Sequence, residues 1–526
     1  MTTAAETYAH RYTTNPDGSE QLNVILVQKS NVNGDVNLSN TINRRATGYV
    51  SNINYNNQFG LHNLNFDLSS SYLKQEITGS GQDIKTSNYT LRGNYSFNNK
   101  YIVEGDLAYM GSSRFVGKNQ YQLFYAGGLA WILSEENFFK SLAGNKIDYL
   151  KVKASAGLMG YDASTSFRLY QNRWEDNGTY AFNNSNTIDE TRLTVTGNPN
   201  LKWEKSQQIN VGLEALAFGR KLYVEANYFN ELSFNQIETA SSIYSAVYGN
   251  LYPSINFGKV ANHGVELEIK WTDKTVGGLG YSIGGNMLYS KNKMLQFDEV
   301  NYPDAYLRNT NQSSDAMFGY VTEGIFGKDV QLNGHALQTF GPYGNGDLAY
   351  KDLNNDGIIN SLDRKIIGNS LPRVIMGVDL NLNYKGFGLY ALITSDLGVS
   401  AWLNTSYYWI SGEDKYSVKA LEYYDAVNNP TGKYPTLTTT TGSNNFMNSD
   451  LWIENSSFVR LKNVELSYTI YNKSASSLTK SIKLYTRGTN LFVLSKIKDL
   501  DPEALGGGVD NYPILRNFTA GVSVSF

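Results

Sequence analysis

Cysteine is missing from the 526-residue chain, which excludes disulfide staples and thiolate metal sites. The chain therefore tolerates an oxidising compartment without requiring one. Histidine is nearly missing too: His10, His62, His263 and His335 are scattered and never form the HExxH spacing. No P-loop, G-x-S-x-G elbow or dinucleotide-binding glycine pattern is present. No pair of carboxylates is singled out for acid–base work, so no enzyme is expected. An excess of positive charge is lacking: 45 Lys+Arg against 48 Asp+Glu leave a net charge of −3, without the footprint of a nucleic-acid binder. No stretch approaches ~18 consecutive apolar residues, which excludes a transmembrane helix. The opening residues Met1–Glu20 lack the basic and apolar regions of a secretory leader. The expectation is either a cytosolic protein or a piece of something longer.

Tyrosine (39), phenylalanine (23) and glycine (48) are plentiful against only 10 prolines, and asparagine runs through segments such as 52–57. This mixture favours strands and turns over helices. Period-two alternation is the dominant pattern. Phe518, Ala520, Val522, Val524 and Phe526 share one face, and Thr519, Gly521, Ser523 and Ser525 the other. Val265, Leu267, Ile269 and Trp271 alternate with Glu266, Glu268 and Lys270. Such runs predict about 15 strands, each with one apolar and one strongly polar face. They fall near 46–59, 63–74, 87–97, 101–112, 120–133, 149–160, 203–217, 221–234, 263–272, 280–291, 373–384, 387–399, 457–470, 481–493 and 515–526.

Connections alternate between short and long. Asn98-Asn99-Lys100, Phe218-Gly219-Arg220 and Lys385-Gly386 are tight turns, whereas 161–202, 235–262, 292–372, 400–456 and 494–514 are long. Outer-membrane barrels put short turns on the periplasmic side and long loops outside. The segment 134–148 is a mid-length exception, predicted to hold a short helix. Aromatic residues near strand ends, among them Tyr49, Tyr55, Tyr95, Tyr228, Trp271, Tyr289 and Tyr384, match the girdles at two membrane interfaces. A mean hydropathy of −0.38 is no objection, because alternating faces average out. A propeller is disfavoured because no repeat of about 40–50 residues recurs. The fold class is therefore all-β, a transmembrane antiparallel barrel. Residues 1–45 are read as an extracellular-side, irregular lead-in and 46–526 as barrel. An odd strand count leaves an unpaired edge, costly in a bilayer, so the chain reads as a fragment.

Several segments then resemble one family. "GNPNLKWEKSQQINVGLE" (197–214), "GKVANHGVELEI" (258–269), "DLNNDGIINSLDRKIIGNSLPRVIMGVDL" (352–380), "LAWILSEENFF" (129–139), "FVRLKNVELSYTI" (458–470), "LYTRGTNLFVLSKIKDLDPEA" (484–504) and the closing "RNFTAGVSVSF" are similar to the SusC/RagA-like TonB-dependent outer-membrane transporters of Bacteroidetes. The resemblance covers residues 120–526 in order, and more weakly the part before. It implies a barrel of about 22 strands around an N-terminal plug, with the plug and about seven strands outside this chain. It also implies a SusD-like lipoprotein lid, energy from TonB–ExbB–ExbD, insertion by the barrel-assembly machinery, and an oligosaccharide or oligopeptide as cargo. The alternative, from another class, is a soluble or surface β-rich carbohydrate-binding or adhesive protein.

Three sets of residues are candidate sites. Asp352, Asn354, Asp356, Asn360 and Asp363, with the Ile358 carbonyl and the turn at Gly357, have the spacing of an EF-hand loop with Asp in place of the final Glu, which points to Ca2+. An ion-free polar turn is the competing reading. Trp402, Tyr407, Tyr408 and Trp409, with Trp174 and Tyr170, could stack on sugar C–H faces, or could merely pack the loops. Loops 235–262 and 292–372 could contact the lid instead. Phe526 resembles a barrel-assembly signal. Lys151, Lys153, Glu266, Glu268, Lys270, Arg460 and Lys462 would line the lumen and face a plug.

Overall fold

The computed structural model describes residues 2–14, 20–33, 43–77, 83–144, 146–162, 168–182, 186–245, 247, 249, 251–412, 417–437, 444–472, 479–505 and 511–526, with side chains from Asn43 onward except those of residues 77, 143, 181–182 and 186–187. Its main element is one antiparallel sheet of 15 strands. In chain order these are β1 (Arg44–Phe59), β2 (His62–Ile77), β3 (Ile84–Phe97), β4 (Tyr101–Ser112), β5 (Tyr121–Ile132), β6 (Ile147–Tyr161), β7 (Glu204–Ala217), β8 (Leu222–Thr239), β9 (Ser254–Lys274), β10 (Gly280–Gln296), β11 (Val374–Tyr384), β12 (Phe387–Leu397), β13 (Phe458–Tyr471), β14 (Ser481–Ser495) and β15 (Asn517–Ser525). Each strand is hydrogen-bonded to its predecessor in sequence, with no crossover. All fifteen alternating segments of the sequence are strands of this sheet.

Tight turns join alternate pairs. Asn98 and Asn99 (φ 51° and 53°) and Lys385-Gly386 (φ 45° and 89°) adopt left-handed conformations, as two-residue hairpins with the right-handed twist of strands require. The mid-length connection after β5 contains the expected helix, Asn137–Ala143. Three strands extend past their expected ends. β8, β9 and β10 run to Thr239, from Ser254 and to Gln296. Bulges in the β8–β9 pairing at Phe234/Gln236 and Gln236/Ile237 let the ladder continue where strict alternation fails. The 235–262 connection is accordingly shortened to 240–253.

Two compact units divide the chain. The smaller, Met1–Tyr49 with Ser71–Thr86, contains an antiparallel hairpin, Thr2–Thr14 against Glu20–Asn33. Within 1–45, read as irregular, these two segments are therefore paired strands. The larger unit, Val50–Ser70 with Ser87–Phe526, holds the buried clusters. One of them, Phe115, Phe124, Leu201 and Trp203, explains the motif before β7. The Trp203 indole N–H donates to the Asn119 carbonyl at 3.1 Å, and a Cβ on Gly160 would meet the Phe124 ring at 1.9 Å. The glycine is required so that this ring can lie against the sheet.

The sheet leaves its apolar face uncovered by the described residues: Ile209, Val211 and Leu213 on β7, Leu466 and Ile470 on β13, and Phe518, Val522 and Val524 on β15 are all exposed. Apolar exposure on this scale marks a surface meant for another apolar phase. The opposite face carries ion pairs, with Lys153 on Glu225 at 2.5 Å and Lys151 near Glu214 at 3.7 Å. On β13 and β14, Glu465 accepts from Lys483 at 2.7 Å and from Arg487 Nε at 2.9 Å.

Candidate functional site

The long connections after β10 and β12 do not wave free; they pack into one body. One cluster consists of Tyr320, Ile325, Leu348, Tyr350 and Ile359 from the first connection. The other consists of Leu403, Tyr408, Ile410, Tyr423, Tyr434 and Trp452 from the second. Leu451 packs against both clusters, and Tyr424 and Met447 of the second connection pack against the first. Trp452 is fully buried and stacks on Tyr434 with centroids 5.1 Å apart and an interplanar angle of 2°. Burial is the main cause that pushes the Tyr434 phenol up to about 12, with the Lys419 charge opposing it, and burial is likewise the main cause that lifts Tyr423 to about 12. Both stay neutral.

Polar side chains stitch the two connections together. Gln338 Nε2 donates to the Leu348 carbonyl at 2.9 Å and to Asn444 Oδ1 at 2.7 Å, while its Oε1 accepts from Tyr350 N at 2.7 Å. Asn444 Nδ2 donates to the Leu348 carbonyl at 2.7 Å, and Asn445 Oδ1 accepts from Leu348 N at 2.9 Å. The Tyr350 hydroxyl donates to the Asn444 carbonyl at 2.7 Å and the Trp452 indole to the Asn445 carbonyl at 2.8 Å. Buried amides of this kind are stable only when satisfied together. Sequence reading missed them: Gln and Asn in aperiodic loops carry no signal that they are core residues.

Two motifs that are distant in sequence meet here. Arg460 of β13 is buried and its guanidinium donates to both oxygens of Asp501, at 2.6 and 2.8 Å. Lys419, buried in the second connection, reaches Asp499 at 2.8 Å and Glu422 at 2.6 Å. Burial opposes its charge, but those two carboxylates outweigh it and hold the ammonium well above its ordinary range. The segment after β14 is thereby clamped to the loop body. Arg460, expected to line the lumen opposite a plug, is instead occupied within the chain.

The candidate ligand rings divide. Tyr408 is 3% exposed and belongs to the loop core, so no ring face is open to a sugar; packing, not binding, accounts for it. Trp409 lies against Phe446 and Trp452 at 5.5 and 6.0 Å. Tyr407 stands edge-on to Tyr408 at 5.1 Å, and Trp402 sits in a short strand paired with Ile453. Trp174 is different: it projects from Arg173–Phe182 and is 61% exposed. Phe526 follows β15 directly and is exposed.

The 352–363 loop is a closed set of side-chain to backbone bonds. Asp352 accepts from Asn355 N at 2.7 Å and Gly357 N at 2.8 Å; Asp356 accepts from Ile358 N at 2.8 Å. Asp363, fully buried, accepts from Leu353 N at 2.8 Å and Asn360 N at 2.9 Å, and Asn360 caps Leu362 N at 2.8 Å. All the side-chain acceptors are oxygens, as a hard cation requires. Among the described residues, however, no three acidic or imidazole groups converge on a common point. Asp352, Asp356 and Asp363 are turned toward N–H groups in this arrangement.

A meander of long two-faced strands, apolar on one face and charged on the other, with short turns and packed loops alternating between its ends, is the architecture of a membrane-spanning β-barrel. Residues 2–385 match the family model described as TonB dependent receptor-like, beta-barrel, and the chain belongs to that family. It is similar to TonB-dependent receptor P3 of Formosa agariphila, with 25% identity over 93% of this chain and 52% of the relative. Similarity to TonB-dependent receptor SusC of Bacteroides thetaiotaomicron is 26% identity over 83% of this chain and 43% of that protein. The chain thus spans about half the length of the relatives it matches. Its fold is shared with the RagAB peptide transporter at a TM-score of 0.72 and 19% identity, over 92% of this chain and 56% of that one. The RagAB peptide importer in its open-open state superposes with a TM-score of 0.74 and 18% identity, over 99% and 58%. The resemblance to SusC/RagA-like receptors is borne out, and an outer-membrane location with it.

Proposed function

We propose that this chain is the barrel segment of a nutrient importer that takes up oligosaccharides or oligopeptides under a SusD-like surface lipoprotein and is energised by TonB–ExbB–ExbD. The observation that carries this reading is the loop body built from the connections after β10 and β12. It is a rigid, preformed surface at the end of the sheet opposite the tight turns, and a rigid surface is what a docking lid or a captured oligomer needs. The similarity to TonB-dependent receptor SusC supports the reading, and the fold shared with the RagAB peptide transporter is in keeping with it. Trp174, as an exposed ring on the connection between β6 and β7, is the residue we assign to ligand contact. Disrupting the gene tests the proposal. Uptake of at least one class of oligomer is expected to stop while growth on the matching monomers continues. Unchanged uptake of every glycan and peptide pool would remove it. The soluble adhesive alternative has no support from the uncovered apolar face.

Calcium at 352–363 is a separate proposal, supported by the oxygen donor spacing. It requires Asp352, Asp356 and Asp363 to turn toward a shared ion on binding. Titration calorimetry with Ca2+ on the wild type and on Asp356→Asn tests it, and the absence of a heat that the variant lacks would remove it.

A further inference from the structure

We propose that His335 and Glu323 form a proton-operated clasp on the connection after β10, shut while the imidazole carries both its protons and released when it loses one. The ring is held in a fixed orientation. Phe326, fully buried, stands edge-on to it with centroids 4.9 Å apart at 89°, and Tyr343 stacks on Phe326 at 5.5 Å. In that orientation both ring nitrogens face oxygen: Nδ1 lies 3.0 Å from the Ala336 carbonyl and Nε2 3.3 Å from Glu323 Oε2. A carbonyl and a carboxylate only accept, and a neutral imidazole has one N–H to give. The arrangement is therefore complete only for the doubly protonated ring. Its side chain is 9% exposed, so a nitrogen that has lost its proton is left facing an oxygen rather than water.

The other charged and titratable groups on the surrounding elements are engaged elsewhere. Asp329 accepts from Ile325 N at 3.0 Å, and Lys328 donates to the Gly432 carbonyl at 3.0 Å. Asp347 accepts from Gly344 N at 2.8 Å and from Asn445 Nδ2 at 2.7 Å, and the Tyr343 hydroxyl accepts from Gln338 N at 3.3 Å. Glu323 is thus the charge that meets the ring. Among the described residues, its bond to His335 is the one hydrogen bond that ties 331–336 to another segment. Leu337 and Gln338 follow directly, pairing with Ile358 and Ile359, and Gln338 enters the amide network that joins the two connections. Imidazoles change charge between about pH 5 and 8. The strap 331–338 is accordingly seated in mildly acid surroundings and loosened above neutrality, which makes the firmness of the loop body respond to pH. The inference rests on loop geometry and goes beyond the proposed cargo, lid and ion.

The test is hydrogen–deuterium exchange of the full receptor, purified from outer membranes, at about pH 5.5 and about pH 8. Wild type, His335→Gln and Glu323→Gln are compared at the same pH, so that the intrinsic pH dependence of exchange cancels. Heat-modifiable gel migration checks that each variant barrel is folded. At the lower pH the wild-type amides of 331–338 are expected to be about threefold better protected than those of either variant, the size expected for a partly exposed ion pair. At the higher pH the three proteins are expected to be equal there. Amides of 305–316, at the loop base around Asp315, serve as the reference and are expected to be alike in all three at both pH values. A wild-type-to-variant ratio that is the same at both pH values overturns the proposal. So does a Glu323→Gln receptor that keeps the wild-type response, because the ring would then act without its partner. A pH-dependent ratio of equal size at 305–316 would likewise overturn it, since the response would not belong to the clasp.

Discussion

Gln338 and Asn444 lie 106 residues apart in the chain and share a hydrogen bond of 2.7 Å between two buried side chains. Each belongs to a different long connection, so this bond joins two segments that the barrel strands hold only by their ends. Replacing Gln338 by Ala leaves the Asn444 amide, the Leu348 carbonyl and the Tyr350 N–H short of partners. An unsatisfied buried polar group costs about 1–3 kcal/mol. Gln338→Ala is expected to make both connections sensitive to limited proteolysis at once, while heat-modifiable migration of the barrel is unchanged. Cleavage confined to 297–373 would show that the two connections are independent.

Trp452→Ala is expected to have a larger effect of the same kind. The indole is fully buried against Tyr434, and deleting such a ring costs about 3–5 kcal/mol. A scanning calorimetry trace should separate a lowered loop transition from an unmoved barrel transition. A single transition with a normal midpoint would contradict the packing described here.

Asp315 gives the loop base an acid limit. Burial raises its carboxyl, but bonds from Ser313, Leu371 N, Asn292 and Arg373 outweigh this and hold it below its ordinary value of 3.8. A lowered folded-state value means that its stabilisation is complete above that ordinary value and is lost as pH falls through the lowered one. Loop protection in the wild type is therefore expected to be flat from neutral pH to about pH 4 and to decline below it. Asp315→Asn should start lower and lack that decline, as read by proteolysis with an acid-active enzyme.

Trp174 and Tyr408 separate binding from packing. Trp174→Ala should weaken capture of the cognate oligomer several-fold, matching about 0.5–1.5 kcal/mol for a ring contact, with loop proteolysis unchanged. Tyr408→Ala should expose the loops to protease whatever the ligand. Intact affinity in Trp174→Ala would remove that residue from the site.

Asp363→Ala is expected to open the 352–363 loop in calcium and in EDTA alike, because both its oxygens already accept backbone N–H groups. If the variant loop stays as protected as the wild type in EDTA, those bonds do not hold it.

The alternation of residues such as Val265, Leu267 and Ile269 against Glu266 and Glu268 decided the strands, their two faces and, through turns like Lys385-Gly386, their order. That information is local: a period of two repeats within ten residues, and a tight turn forces the next strand to be its neighbour. It also showed which connections are long. Ordered motifs placed the chain in its family. What tertiary structure alone decided is what those connections do. Tyr408 and Trp174 are equally aromatic on paper, yet one is sealed in a core and the other projects into solvent. Arg460 reads as a lumen residue from its strand position, yet Asp501 claims it from another motif. The loops have no period, and their contacts join residues about a hundred positions apart. Burial there is a property of the assembled connections, which no local pattern encodes.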